Sequence, residues 1–449
     1  MHISILKNKF LQILPWLNTR AEIIFLSFFE LFLSFFIFSV NTFSVFPNNS
    51  LIAFILSIIF VLLSYISGRY NYLKTNYRYQ LILNIAKSII VFFLFIFFVY
   101  LYSLIFNIEI NFLKVFTLII LNLSIFNFLQ FTKLVIKNKK IKNQPKWIFV
   151  GNIKTFNYIS EQARIGRTKK KIFYIDSYFK ENLLWDDFEG VIFEDLNSLK
   201  KGDLKFLENF QKKQKPILNL FNWCELYLQR IPTNILIERD ILRYNFYFPK
   251  YSYQQRIKFL IEIILSITLL TLLSPIIIIS CFLIWITDKG PVFYSQIRVG
   301  KKGKHFRIWK LRSMHVNAEK NGIKWSSIND ERITFIGKII RRIRIDELPQ
   351  LFSVIKGDMS LIGPRPERPE IEDTLKKQIL NYKIRQIIKP GISGWAQVNY
   401  PYGASIEDSN NKLSYDLFYV KNMSIFLDLL IFIKTIKTIL NLKNSLPNR

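Results

Sequence analysis

The sequence has 449 residues, room for two or three domains, and combines a formal charge of +30 with 51% hydrophobic residues. Such a chain is not an ordinary soluble domain; its charge would suit nucleic acid or an anionic membrane surface, and the long apolar runs favour the membrane. Cys224 and Cys281 are far apart, so there is neither a disulfide framework nor a CxxC site, and the three histidines, His2, His305 and His315, make a poor zinc set.

The basic start "MHISILKNKFLQILPWLNTR" lacks a long apolar core ending in small residues, so no cleavable signal peptide is expected. Four apolar stretches follow, roughly 22–46, 51–67, 81–106 and 112–136. A bilayer core of about 30 Å needs about 20 helical residues, which each stretch can supply, the second only just. Lys7, Lys9 and Arg20 precede the first; Arg69, Lys74 and Arg78 lie between the second and third; "KNKKIKNQPK" follows the fourth. The other two connections, "PNNS" and "NIEIN", carry no Lys or Arg, so the positive-inside rule puts both ends of a four-helix block in the cytoplasm.

From Trp147 to about Lys250, short apolar runs such as "KWIFV", "KKIFYI" and "GVIFE" alternate with polar helical stretches at 155–165 and 203–213. That alternation predicts a small α/β domain with a parallel sheet. Its first turn, "VGNIKTF", holds only Gly151 where a dinucleotide fold would show GxGxxG. Asp176 stands where a ribose-binding acid could sit, but a structural or regulatory domain is the better expectation.

A fifth apolar run covers 259–287, with Arg256 and Lys258 before it and Lys289, Arg298, Lys301, Lys302 and Lys304 after it. Positive charge on both flanks asks for both ends on the cytoplasmic face. Ser274-Pro275 interrupts the middle, where proline removes a helix hydrogen bond. A helix that enters the inner leaflet, bends there and returns satisfies both observations; a kinked spanning helix is the alternative.

In "RIRIDELPQLFSVIKGDMSLIGPRPERPE", Leu348, Leu351, Phe352 and Ile355 follow a helix face closed by Gly357, and Pro349 belongs in a first turn. Asp346 and Glu347 then sit at the helix N-terminus, where anions are favoured, with Arg341, Arg342 and Arg344 holding them ionised. Such a pair can be a capping Asp beside a surface Glu. It can also be a carboxylate that attacks phosphorus next to one that holds a divalent cation, with Arg298, Lys310, Arg312 and Arg365 as phosphate partners.

From about Gln255 to Leu440 the sequence resembles the bacterial sugar transferase domain of the polyprenyl-phosphate hexose-1-phosphate transferases, the monotopic phosphoglycosyl transferases. The matching pieces come in order: "SP" within the apolar run, "GPVFYSQIRVG", "KLRSM", "RIDELPQLFSVIKGDMSLIGPRPE", "KPGISGWAQVN" and "YDLFYVKNMSIFLDL". The resemblance implies a membrane protein with an α-helical transmembrane block (1–140), a degenerate Rossmann-like α/β domain (147–250) and a mainly helical catalytic domain (251–449). A re-entrant helix at 258–287 would turn at Ser274 and Pro275.

It further implies Asp346 as the nucleophile that takes sugar phosphate from a UDP-sugar, Glu347 as an Mg²⁺ ligand, and Arg341 as a phosphate-binding or orienting group. Undecaprenyl phosphate would be the acceptor and UMP the released product. The site would lie at the cytoplasmic face of a bacterial inner membrane, in contact with lipid, with no nucleic acid partner and with a homo-oligomer as a candidate assembly.

"PYGASIEDSNNKLSYDLFYVKN" is nearest to relatives using glucose-type donors, with glucose and galactose favoured, while Tyr400 replaces a common glycine. Trp395 and Gln397 are either substrate contacts or core and turn residues; His305 and His315 are expected at the surface. The alternative function is a catalytically silent membrane scaffold or regulator of polysaccharide assembly, which an intact Asp346-Glu347 pair disfavours.

Overall fold

The computed structural model describes residues 21–40, 50–70, 77–106, 110–140, 146–165, 170–174, 188–194, 207–208, 210–213, 215–235, 241, 246, 253–316, 318, 330–401, 403 and 405–440. His2, Lys7, Lys9, Arg20, Lys74 and Asp176 lie outside the described residues, as does much of 203–213.

A helix falls on each of the first four apolar runs: α1 (Ala21–Val40), α2 (Ser50–Ile66), α3 (Tyr77–Phe106) and α4 (Phe112–Lys140). Serines within them donate back to the preceding turn, Ser34 Oγ to Glu30 O at 2.6 Å and Ser57 Oγ to Ala53 O at 2.7 Å, so these buried hydroxyls are satisfied within their own helices. Phe38 stacks on Phe95 at 5.6 Å between centroids and Phe60 meets Phe95 edge-on at 5.2 Å, forming the core between helices. Two stretches, Ile82–Ile105 and Phe112–Thr132, are long and apolar enough to cross a membrane; Ile23–Ser39 and Leu51–Ile66 are shorter.

The α/β segment carries the expected parallel sheet, in the order β2–β1–β3–β4. Its elements are β1 (Lys146–Val150), α5 (Ile153–Ile165), β2 (Lys171–Tyr174), β3 (Phe188–Phe193), β4 (Ile217–Asn219) and α6 (Leu220–Trp223). A π-turn over Cys224–Leu228 continues α6 and ends at Gln229, whose φ is 54°. Burial pushes the Cys224 thiol far above its ordinary value, so it is an inert core group.

A third membrane-length helix, α7 (Tyr253–Asp288), holds Pro275 inside it, and Ser274 Oγ donates to Thr271 O at 2.8 Å. The antiparallel hairpin β5 (Phe293–Val299) and β6 (His305–Leu311) follows, then α8 (Phe335–Arg342), a 3₁₀ turn (Ile345–Gln350) and α9 (Leu351–Lys356). Next come β7 (Ser360–Ile362), α10 (Pro369–Gln378), a 3₁₀ turn (Tyr382–Ile387), β8 (Gly391–Ser393), α11 (Trp395–Asn399), α12 (Ile406–Asn422) and α13 (Ile425–Leu440). Strands β7 and β8 are parallel; a Cβ on Gly391 would lie 2.0 Å from Gly363 N, so glycine lets the two backbones meet there.

The α/β segment docks on this last third through polar contacts. Arg230 is hydrogen-bonded to Gln162 of α5 and donates to Asn411 Oδ1 of α12 at 2.8 Å. Trp395 Nε1 donates to Gln229 O at 2.9 Å, and Lys421 Nζ reaches Glu225 Oε2 at 2.7 Å. At the other end of α12, the hydroxyl of Tyr419 accepts from Lys258 of α7 at 2.9 Å, and Lys258 pairs with Asp428 at 2.9 Å.

Candidate active site

Helix α8 delivers the chain to the Asp346-Glu347 pair. Thr334 Oγ1 caps it by accepting from Gly337 N at 2.9 Å. A Cβ on Gly337 would stand 2.0 Å from Ser313 O, so glycine is what lets α8 approach the "KLRSM" segment. Arg341 Nε, near the helix end, donates to Ser313 Oγ at 2.7 Å. Arg344 then adopts a left-handed φ of 61° and redirects the chain into the 3₁₀ turn.

Asp346 and Glu347 therefore lie inside a 3₁₀ turn, one turn before the α-helix, and not in the first turn of a single helix. Its three-residue period shifts the phase of the apolar face. Leu351 and Val354 are buried, whereas Phe352, expected inward, is 63% exposed. Gly357, with φ 88°, closes the helix as expected.

Both carboxylates are 93% buried, yet their surroundings differ sharply. Glu347 Oε1 accepts from Arg365 Nη2 at 2.5 Å and from Lys310 Nζ at 3.2 Å, while Oε2 accepts from Arg344 Nη1 at 3.2 Å. Burial pushes Glu347 upward, but Arg365, Lys310 and Arg344 outweigh it and hold the carboxyl well below the usual range. Asp346 Oδ1 is buried and accepts no hydrogen bond. Burial and the Glu347 charge push Asp346 up to about 6 against the pull of Lys310, Arg341 and Arg344. The two acids are thus driven apart, one permanently ionised and one titrating near neutrality.

The expected phosphate partners separate into groups. Lys310, from β6, and Arg365, between Pro364 and Pro366, reach Glu347. Arg341 is near enough to act on Asp346 electrostatically. Arg298 holds the Arg365 loop, donating to Pro366 O at 3.1 Å and to Gln296 Oε1 at 2.6 Å; burial lowers it to about 10. Arg312 is buried, with its guanidinium beside Gly290. Among the described residues no cluster of three or more His, Cys, Asp or Glu could hold a metal.

Comparison with known proteins gives the family. The bacterial sugar transferase family matches residues 253–442. A UDP-glucose:undecaprenyl-phosphate glucose-1-phosphate transferase of Caulobacter vibrioides is 33% identical over 190 residues, 42% of this chain and 71% of that protein. The chain belongs to the bacterial sugar transferase family. A UDP-N-acetylgalactosamine-undecaprenyl-phosphate N-acetylgalactosaminephosphotransferase of Aeromonas hydrophila is 48% identical over 179 residues, 40% of this chain and 42% of that protein. A Klebsiella pneumoniae UDP-glucose:undecaprenyl-phosphate glucose-1-phosphate transferase is 39% identical over 183 residues, 40% of the chain and 39% of the relative. The aligned part thus spans about two-fifths of these last two relatives, and the sugar transferase match begins at α7, leaving α1–α6 outside it.

Within the sugar transferase segment a second layer holds Arg365. Arg385 Nη2 donates to Arg365 O at 2.6 Å and pairs with Asp416 Oδ2 at 3.0 Å, while Arg385 Nη1 donates to Tyr382 Oη at 2.7 Å. Sequence reasoning missed Arg385; Asp416 stood inside the quoted "YDLFYVKN", but its partner was not evident. Trp395 is a fully buried core residue, and Gln397 Nε2 donates to Ile392 O at 3.1 Å, as a turn residue would. Tyr400 Oη donates to Asp408 Oδ1 at 3.0 Å; His305 and His315 are exposed, as expected.

Outside that segment, the crevice at the end of β1 is filled from within. The Glu194 carboxylate accepts from Asn152 N at 2.8 Å and Thr155 Oγ1 at 2.7 Å, at the N-terminus of α5 where a dinucleotide fold would seat its phosphates.

Proposed function

We propose that the chain transfers hexose-1-phosphate from a UDP-sugar to undecaprenyl phosphate, releasing UMP and starting an exopolysaccharide, capsule or O-antigen. The observation that carries this reading is the asymmetry of the pair: Asp346 has a buried oxygen without a partner, while Glu347 is clamped by three cations. At pH 7 a carboxyl titrating at about 6 is mostly ionised, so Asp346 is an available nucleophile and more basic than an ordinary aspartate.

In the first step an Asp346 carboxylate oxygen bonds to the β-phosphorus of the donor, and the bond from that phosphorus to the bridging oxygen breaks. UMP leaves and an aspartyl phosphosugar remains. In the second step an oxygen of undecaprenyl phosphate attacks the same phosphorus; the acyl–phosphate bond breaks, restoring the carboxylate and giving the sugar-diphospholipid. Attack of an anion on an anion is electrostatically poor, and Lys310, Arg365 and Arg344 retain N–H donors beyond those given to Glu347. Arg298 and Arg341 add positive charge at the rim, and Arg385 fixes the Arg365 loop.

The pair also fits one Mg²⁺, which takes one or two carboxylates and fills its shell with water and substrate phosphate oxygens. Glu347 would hold it by exchanging one of its cation partners for the ion, beside the unpartnered oxygen of Asp346. When bound, the ion offsets charge on the diphosphate.

For the membrane arrangement, we infer that 258–287 is a re-entrant helix turning at Ser274-Pro275, with the catalytic part on the cytoplasmic face of the inner membrane. Both halves of α7 pack on the same domain, which supports this. Glu262 accepts from Ser360 Oγ at 2.5 Å, and Ile284 packs with Leu311 and Ile340. Between them Leu272 and Ile278 are 70% and 67% exposed, an apolar stretch suited to lipid.

The test is UMP release by purified protein with Mg²⁺ and undecaprenyl phosphate, against a donor panel including UDP-glucose, UDP-galactose and UDP-N-acetylgalactosamine, with Asp346→Asn alongside. Release with one donor, lost in the variant, is expected. Full turnover by the variant removes Asp346 as nucleophile, and silence with every donor from folded protein refutes the transferase.

A further inference from the structure

Helix α13 reaches the base of the N-terminal helices. Lys437 Nζ donates to Tyr65 O at 3.2 Å, at the C-terminal end of α2, and lies 5.1 Å from the Tyr65 ring centroid. Lys87 of α3 reaches the same turn, its Nζ donating to Gly68 O at 3.0 Å, and that turn is closed by Gly68 N donating to Tyr65 O at 3.0 Å. Two ammonium groups from distant parts of the chain thus converge on one four-residue turn.

Among the described residues no carboxylate faces either lysine. Burial, and then the Lys87 charge, hold the Lys437 ammonium below its ordinary value. Carbonyls at a helix end attract a cation, but one is enough to complement them, and a second in the same place is repelled by the first. Each ammonium has three donors and gives one to the turn, so further N–H groups point away from it. Both side chains are only partly buried and remain reachable.

The location specifies the anion's carrier. Lys87 lies in the first two turns of the membrane-length stretch Ile82–Ile105, where a bilayer crossed by that stretch would bring its headgroups. On the same helix Ile90 and Leu94, three and seven residues beyond Lys87 and so on its face, are 52% and 40% exposed, an apolar track running away from the cation that suits acyl chains. Basic pockets between membrane helices near the cytoplasmic surface are the setting in which anionic headgroups are held.

We propose that Lys87 and Lys437 bind the phosphate of an anionic lipid at the junction between the N-terminal helices and the sugar transferase segment. This site is separate from Asp346 and Glu347 and stands whether or not the transferase reading holds. The lipid completes the contact between α13 and the α2–α3 turn by offsetting the repulsion of two cations.

The test is native mass spectrometry of the full chain in neutral detergent, titrated in separate arms with phosphatidylglycerol, phosphatidylcholine and inorganic phosphate. Phosphatidylglycerol should bind more tightly than phosphatidylcholine. Lys87→Gln and Lys437→Gln should each weaken it about fivefold, while Lys437→Arg and Lys377→Gln, at an exposed lysine, leave it unchanged. If one variant fails to fold, the other reads the same site. Equal binding of the two lipids, or wild-type affinity in a folded Gln variant, overturns the proposal. Saturation by inorganic phosphate as tight as by phosphatidylglycerol assigns the site to a free anion and overturns the lipid.

Discussion

Replacing Asp346 by asparagine should stabilise the protein while abolishing turnover. In the folded chain the carboxyl titrates at about 6, against an ordinary value of 3.8, a rise of roughly two units caused first by burial and then by Glu347. At 1.36 kcal/mol per unit this is about 3 kcal/mol. Because the folded state holds the proton more tightly, the contribution is fully present below pH 4 and is lost as pH rises through about 6. Asparagine keeps the shape and never bears the charge. Thermal unfolding in detergent from pH 4 to pH 8 should therefore show the variant near wild type at the acid end and above it by several degrees at pH 7.5. A variant equally or less stable at pH 7.5 would show that the folded protein satisfies the Asp346 carboxylate, and the account of its reactivity would fall with it.

Activity should move oppositely with pH: kcat/KM for the UDP-sugar falls about tenfold per unit below pH 6, and Arg344→Gln, which removes a cation lowering Asp346, moves that limb upward, as a pH–rate profile would show. Arg385→Met should lower kcat at least about tenfold by releasing the Arg365 loop; a change in KM alone would remove Arg385 as a positioning residue. Gly337→Ala places a Cβ on backbone at Ser313, so it should cost about 1–3 kcal/mol in denaturant unfolding and reduce UMP release by displacing Arg341.

The long apolar runs were legible as helices because hydropathy over 17 or more residues survives any local detail. The parallel sheet followed from short apolar strands spaced by polar helices. The Asp346-Glu347 pair stood out through its neighbours, and Lys310 and Arg365, singled out for their charge, stand beside Glu347. What escaped was set by distance or phase. A 3₁₀ turn before α9 rotated Phe352 outward, and no period in so short a segment announces it. Arg385 with Asp416, and Lys87 with Lys437, are pairings across long stretches of chain that one sequence cannot join.

Helix α12 has a consequence beyond support. Asn411 meets Arg230 from the parallel-sheet segment, Asp416 meets Arg385 behind the reactive pair, and Tyr419 meets Lys258 at the root of α7. One α-helix is thus the ruler against which three parts of the protein are aligned. A residue added or removed between Asn411 and Tyr419 would turn one end against the other by about 100° and shift it by about 1.5 Å. At least one of the three partners would then face empty space. Length changes should therefore be tolerated in the segment before Ser405 and beyond Leu440 but not within these two turns, so α12 measures how far this architecture can be lengthened or spliced before its parts lose register.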